Sequence, residues 1–164
     1  MMTTRQGDIL QANAQALVNA VNCVGVMGRG IALQFRQAYP DNFRAYAQAC
    51  RQGVVVPGQM FIHATGQPTG PTHIINFPTK RHWRDKSRLD DIETGLLALV
   101  AAVERLGIRT IAIPALGCGL GGLDWAVVRP RIERAFADRA GVEALLYEPT
   151  DTRGAPLRAL ARPR

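Results

Sequence analysis

The most constraining stretch of this chain is Thr110-Ile-Ala-Ile-Pro-Ala-Leu-Gly117-Cys118-Gly119-Leu120-Gly121-Gly122-Leu123-Asp124-Trp125. A β-branched apolar run gives way to four glycines within six residues and then meets Asp124, a residue suited to capping a helix. The pattern predicts strand, tight loop, helix N-terminus. Glycines let successive backbone N–H groups converge without Cβ interference, and a helix dipole adds ~0.3–1 kcal/mol in favour of negative charge. The stretch is therefore a candidate anion cradle with phosphate as its expected occupant, the alternative being a purely structural glycine turn. Gly117, Gly119 and Gly122 satisfy G-x-G-x-x-G, but that fingerprint belongs in an opening βαβ unit with further strands behind it, and only about one helix and one strand remain here. No Gly-Lys-Ser/Thr follows, so the loop does not fit the P-loop pattern.

At 164 residues, 47% hydrophobic and 20% charged, the chain is expected to form one domain, residues 1–150, with enough length to bury a core. Neither an apolar signal region nor an apolar run of membrane-spanning length is visible, which points to a cytoplasmic protein without a membrane partner, expected to be a monomer. Cys23, Cys50 and Cys118 form no C-x-x-C pair, and His63, His73 and His82 lack helical ligand spacing, so neither disulfides nor a metal are indicated. The net charge of +7 suggests a polyanionic partner, but Arg153, Arg158, Arg162 and Arg164 against Asp151 place +3 of it in the 151–164 tail, leaving +4 on the domain. That basic tail, with Gly154, Pro156 and Pro163, reads as a linker or as a solvated disordered end.

Taken in order, Met2–Arg5 is a weak strand and Gly7-Asp8-Ile9-Leu10 a turn. Ala16–Asn22 is an apolar strand ending in a second glycine-rich loop, Gly25-Val-Met-Gly28-Arg29-Gly30-Ile31, which opens a helix. Two such loops imply two phosphates. Pro40 starts another helix, which Gly53 ends. Gln59–Thr65 and His73–Pro78 read as a hairpin across a Gly/Pro-rich turn, with His63 and His73 as ordinary strand residues. Ser87-x-x-Asp90 predicts a capping box for a long helix whose core face is Leu89, Ile92, Leu96, Leu99, Val103 and Leu106. From Asp124 a helix is expected towards Ala140 and Gly141, with Pro130 either kinking it or marking its first turn. Val142–Pro149 is the last strand. Alternating strands and helices plus one hairpin give an α/β class, a three-layer α/β/α sandwich on a mixed sheet. Ligands in such sheets lie at the carboxyl ends of strands, where both glycine loops, Lys80 and Tyr147 fall.

Thr79-Lys80-Arg81-His82-Trp83-Arg84-Asp85-Lys86 mixes cations with an indole and an imidazole. It reads either as a solvated basic loop or as a site loop in which Lys80, near a glycine-lined pocket, is a candidate nucleophile or acid. Cations interleaved with an aromatic, here Arg81, Trp83, Arg84, Lys86 and Arg88, suit a single nucleic-acid strand, whose bases stack at about 1–3 kcal/mol each.

Gly7-Asp8-Ile9, the strand Ala16–Asn22 with Gly28-Arg-Gly30-Ile31, and Ile113–Trp125 together resemble the macrodomain family of ADP-ribose-binding modules, over about residues 3–149. Within the family the chain is similar to ADP-ribosyl glycohydrolases of the DarG type, antitoxins that remove ADP-ribose from DNA, especially in Asn76-Phe-Pro-Thr-Lys80. The resemblance implies that Asp8 and the Ile9 amide hold adenine and that Asn22 bonds the distal ribose. It places the diphosphate between Gly28, Arg29, Gly30 and Ile31 on one side and Gly117, Cys118, Gly119, Leu120, Gly121, Gly122 and Leu123 on the other. Thr79 joins the ligand-binding set, Tyr147 lies near adenine, and Lys80 with Asn22 forms the catalytic pair. Arg81, His82, Trp83 and Arg84 are the candidate DNA contacts, His82 having proton shuttling as an alternative role.

One departure stands out. Protein-directed relatives carry an aspartate in the second glycine loop where this chain has Gly121, its nearest acid being Asp124. The activity implied is removal of ADP-ribose from thymine bases of single-stranded DNA, with ADP-ribose as product, no cofactor, and a cognate DarT-type toxin as partner. The alternatives are hydrolysis of ADP-ribosyl-glutamate on proteins and a non-catalytic reader of ADP-ribose.

Overall fold

Strand residues of this chain are apolar at successive positions, a pattern that requires cover on both faces of a sheet. The computed structural model describes residues 1–149 and meets that requirement. Six strands, β1 (Met2–Arg5), β2 (Ala16–Val21), β3 (Phe61–Ala64), β4 (His73–Pro78), β5 (Thr110–Ile113) and β6 (Glu143–Tyr147), form one sheet in the order β1-β6-β5-β2-β4-β3. All pairings are parallel except the β3–β4 hairpin. The expected mixed sheet is thus present, and the 151–164 tail lies outside the described residues.

Side-chain alternation divides the core. Ala16 and Val18 of β2, Ile75 and Phe77 of β4, Ile111 and Ile113 of β5, and Ala144 and Leu146 of β6 pack beneath α3 (Leu89–Arg105) and α4 (Trp125–Phe136). On the opposite face Leu17, Ile74, Ala112 and Leu145 pack with Phe35 of α1 (Gly30–Ala38), while Val21 joins Met27 and Tyr46 of α2 (Pro40–Arg51). Pro40 occupies the first turn of α2, where its missing N–H costs nothing.

Two helix ends differ from the sequence expectation. Ser87 does not cap α3, because Arg88 takes the N-cap position without a side-chain bond, and the Ser87 hydroxyl is buried instead against the 117–121 loop. A cap must face its own helix, and packing has turned this one away. Helix α4 stops at Phe136, its last core residue, since Ala137 to Ala140 are exposed and nothing apolar draws another turn. Asp124 caps α4 as expected, accepting from the Ala126 N–H at 3.0 Å, and Pro130 therefore lies inside the helix rather than at its start.

Helix α3 approaches β4 closely only because Gly95 lacks a side chain: a Cβ there would lie 3.2 Å from Phe77 Cε2 and closer still to Cζ. Gly95→Ala gains helix propensity of ~1 kcal/mol but overpacks a filled core at ~1–3 kcal/mol. With the overlap on Phe77 Cζ deep, the overpacking cost takes the upper part of that range, so urea unfolding should show a net loss of ~1–2 kcal/mol, and an unchanged midpoint would mean that the contact is loose.

Candidate active site

The carboxyl ends of the parallel strands β2, β4, β5 and β6 share one edge of the sheet, and the loops leaving them build the site. After β2, Asn22 is only 8% exposed and organises its own loop: Oδ1 accepts from the Val24 N–H at 3.0 Å and the Val26 N–H at 3.4 Å, and Nδ2 donates to Val26 O at 2.8 Å. Tyr46 Oη, buried in α2, reaches both Asn22 O and Oδ1 at 2.7 Å. These bonds leave Asn22 one of its two amide hydrogens. The segment after β4 lies alongside. Thr79 N–H donates to Val21 O at 2.8 Å and Lys80 N–H to the same oxygen at 3.4 Å, while Cys23 N–H returns a bond to Arg81 O at 3.3 Å.

Within the loop after β5, Leu123 N–H closes onto Gly117 O at 2.9 Å and Gly122 N–H onto Gly119 O at 3.2 Å, with Gly117 and Gly122 at positive φ. The N–H groups of Gly119, Leu120 and Gly121 donate to no described group, nor do those of Gly28, Arg29, Gly30 and Ile31 leading into α1. Arg29 at the α1 N-cap supplies no side-chain cap. The two rows of amides are neighbours, since a Cβ on Gly30 would stand 3.8 Å from Leu120 Cδ1. Backbone donors left open in this way suit an anion.

Lys80 is half-buried, and its amine reaches Trp83 O at 3.5 Å. Burial lowers its basicity, and Lys86 and Arg29 push further in the same direction against the weaker pull of Asp85. Three cations from two loops, Lys80 and Lys86 after β4 and Arg29 after β2, therefore meet here. The thiols are poor rivals as nucleophiles: burial pushes Cys23 up to about 11 and Cys118 up to about 12. At the far end of the sheet edge, Ile9 is buried in the core cluster of that face, against which Tyr147, Leu10 and Ile31 also pack. Asp8 caps the 3-10 turn Ile9–Gln11 through one oxygen, on Leu10 N–H at 2.9 Å. Burial raises the Tyr147 phenol, with Asp8 adding to the shift and Arg5 opposing it.

Of the residues singled out for DNA, Arg81 is committed elsewhere: Nε and Nη2 bond the two oxygens of Asp91, each at 3.3 Å, anchoring the loop to α3. Trp83 is half-exposed with Arg84 Cζ 4.6 Å from its ring centroid and the His82 ring centroid 5.2 Å away. His82 Nδ1 accepts the Arg84 N–H at 3.1 Å, which leaves the ring hydrogen on Nε2.

Sequence reasoning missed a buried amide cluster under the first loop. Asn76 Nδ2 donates to Asn42 Oδ1 at 2.8 Å and to Phe61 O at 3.0 Å, while Asn19 Nδ2 reaches Asn76 Oδ1 at 3.3 Å. All three are fully buried, and the signal available was an asparagine inside each of two apolar strands. Ser87 was missed too. Its buried hydroxyl has no partner, at a cost of roughly 1–3 kcal/mol, and a Cβ on Gly121 would collide with it and with Gly117 O.

These features are those of a known class. The chain belongs to the Macro domain family, whose model matches residues 18–132. Its relatives include the "DNA ADP-ribosyl glycohydrolase" of Mycobacterium tuberculosis, 52% identical over 92% of this chain and 43% of the relative, so the chain spans about two-fifths of the length of the curated relative it matches. The solved macrodomain of Mycobacterium tuberculosis DarG superposes with a TM-score of 0.90 at 52% identity, covering 92% of this chain and 99% of that one. The structure of Thermosipho africanus DarTG in complex with ADP-ribose matches with a TM-score of 0.83 at 33% identity, covering 90% of this chain and 41% of that one; a curated relative from the same organism is named a DNA ADP-ribosyl transferase-DNA ADP-ribosyl glycohydrolase fusion protein.

A Cβ at Gly119 would point into open space, so Gly119→Glu should fold while placing a carboxylate beside the open amides. Losing charge-assisted bonds of about 1.5–3 kcal/mol should weaken ADP-ribose binding by roughly 10- to 100-fold in calorimetric titration. Unchanged affinity would remove the loop after β5 from the ligand site.

Proposed function

We propose that this domain is an ADP-ribosyl glycohydrolase that removes ADP-ribose from thymine bases of single-stranded DNA. The observation that carries this reading is the place of Lys80, an amine of lowered basicity beside two rows of unclaimed amides. The names of the relatives agree with it, and the ADP-ribose complex of the Thermosipho africanus protein supports the same ligand here. The diphosphate would lie across the amides of Gly28 to Ile31 and Gly119 to Gly121, adenine beside Asp8, Ile9 and Tyr147, and the distal ribose towards Asn22 and Lys80.

The anomeric carbon of that ribose gives up its base with oxocarbenium character. Neutral Lys80 attacks the carbon as its bond to the thymine nitrogen breaks; the base leaves with a proton, and water then hydrolyses the ribosyl-amine to free the lysine. Lowered basicity serves this step, because only the unprotonated amine is nucleophilic. The spare Asn22 hydrogen would orient a ribose hydroxyl, and no step calls on a metal or cofactor. Trp83 and Arg84 supply a stacking and charged surface for the strand. The crowding at Gly121 leaves no room for the aspartate of protein-directed relatives, which favours the DNA substrate. The name of the fusion relative supports a DarT-type toxin as partner. The same reading takes residues 1–150 as a cytoplasmic, monomeric antitoxin module.

Lys80→Ala should lower turnover of ADP-ribosylated single-stranded DNA by ~10²–10⁴-fold, while calorimetric affinity for ADP-ribose stays within about threefold. With Lys80 as nucleophile, kcat/KM should rise with pH through a limb lying below the ordinary lysine range. A falling limb over the same range would make Lys80 an acid. Full activity on ADP-ribosyl-glutamate protein with none on modified DNA would overturn the substrate.

A further inference from the structure

A cleft of about 310 Å³ opens between the 81–88 loop and the start of α3, lined by Arg81, Asp85, Lys86, Ser87, Arg88 and Asp91. Arg81 and Asp91 neutralise each other, which leaves Lys86 and Arg88 against Asp85, an excess of one positive charge. Neither Lys86 nor Arg88 has an ion-pair partner among the described residues, whereas Arg44, Arg129, Arg131 and Arg139 all do. Ser87 is 7% exposed with an unpartnered hydroxyl, and its N–H donates to Gly121 O at 3.0 Å. That bond ties the cleft to the glycine loop. Lys86 bridges the two, its Nζ lying 3.5 Å from where a Cβ on Gly122 would stand.

We propose that this cleft is a phosphodiester subsite, holding the backbone phosphate next to the modified nucleotide of the substrate strand; the inference rests on the DNA reading above. A phosphodiester carries a single negative charge, matching the excess of the lining, and takes hydrogen bonds from guanidinium and ammonium groups alike, here those of Arg88 and Lys86. The diphosphate of ADP-ribose has its own open amides, so the cleft is left for a phosphate that ADP-ribose does not bring. Asp85 opposes an anion and limits the cleft to one. The subsite thus lies on the same loop as Lys80, within reach of the strand on which the amine acts.

The test compares kcat/KM on an ADP-ribosylated single-stranded oligonucleotide with that on ADP-ribosylated thymidine, which has no backbone phosphate. The unaltered protein should prefer the oligonucleotide by about tenfold or more, with log activity falling as log salt rises. Arg88→Gln should cut the ratio by about fivefold or more and flatten the salt slope by ~0.7 for the phosphate lost. Asp85→Asn should raise binding of an unmodified single strand, an opposite sign that a folding defect would not give. Equal rates on both substrates in the unaltered protein, or an intact ratio in Arg88→Gln, would overturn the subsite while leaving the DNA reading in place. Failure on both DNA substrates, with turnover of modified protein, would overturn the DNA reading itself.

Discussion

Everything at the site depends on the parallel pairing of β2 with β4, which runs unbroken from Ala16 opposite His73 to Val21 opposite Pro78. The ladder does not stop at the strand ends, since Val21 O accepts from both Thr79 and Lys80. Asn22 and Lys80 therefore emerge side by side from adjacent strands, each at a position fixed by backbone rather than by a mobile side-chain contact. The buried Asn19, Asn42 and Asn76 amides reinforce the arrangement. Asn19 and Asn76 face each other in register, so a slip of one residue would turn both to the wrong face and strand their polar atoms in a dry core.

Electrostatics at this edge run against the habit of the rest of the surface. Elsewhere arginines sit beside carboxylates, as Arg129 does with Glu133 and Glu148 and Arg131 with Glu93. Around Lys80 the cations face one another and the backbone presents donors without acceptors. Such a site is unsatisfied by itself and becomes balanced only with a polyanion in place. Burial is the main cause of the lysine's lowered basicity, and the like charges of Lys86 and Arg29 that would attract a polyanion add to it, so recognition and reactivity share part of their cause.

Sequence disclosed what is local. The glycine loops, the Asp124 cap, the Pro40 start and the long amphipathic helix were all legible, because each depends on neighbours a few residues away. The position of Lys80, just beyond the carboxyl end of β4, was legible from the strand that precedes it. What escaped depends on partners far along the chain. Arg81 counts as a free cation until Asp91, ten residues on, claims it. Ser87 has the spacing of a cap, but its surroundings are set by Gly117 and Gly121, some thirty residues later. The length of α4 followed from where the core ended at Phe136 and not from the helix formers beyond it.

The packing of Ser87 against Gly121 also shapes how this domain can change over generations. An acidic residue introduced at 121 alone would drive its Cβ into the Ser87 hydroxyl and the Gly117 carbonyl, so the loop would have to shift before a carboxylate could stand there. Trimming Ser87 removes only the side-chain half of that clash, because the Gly117 carbonyl still occupies the position. A carboxylate at 121 therefore needs a different path of the 117–121 backbone as well as a different residue at 87, which places a valley between this loop and one bearing a carboxylate. What position 121 can carry is held less by any single contact than by the mutational distance between two ways of threading the same short loop.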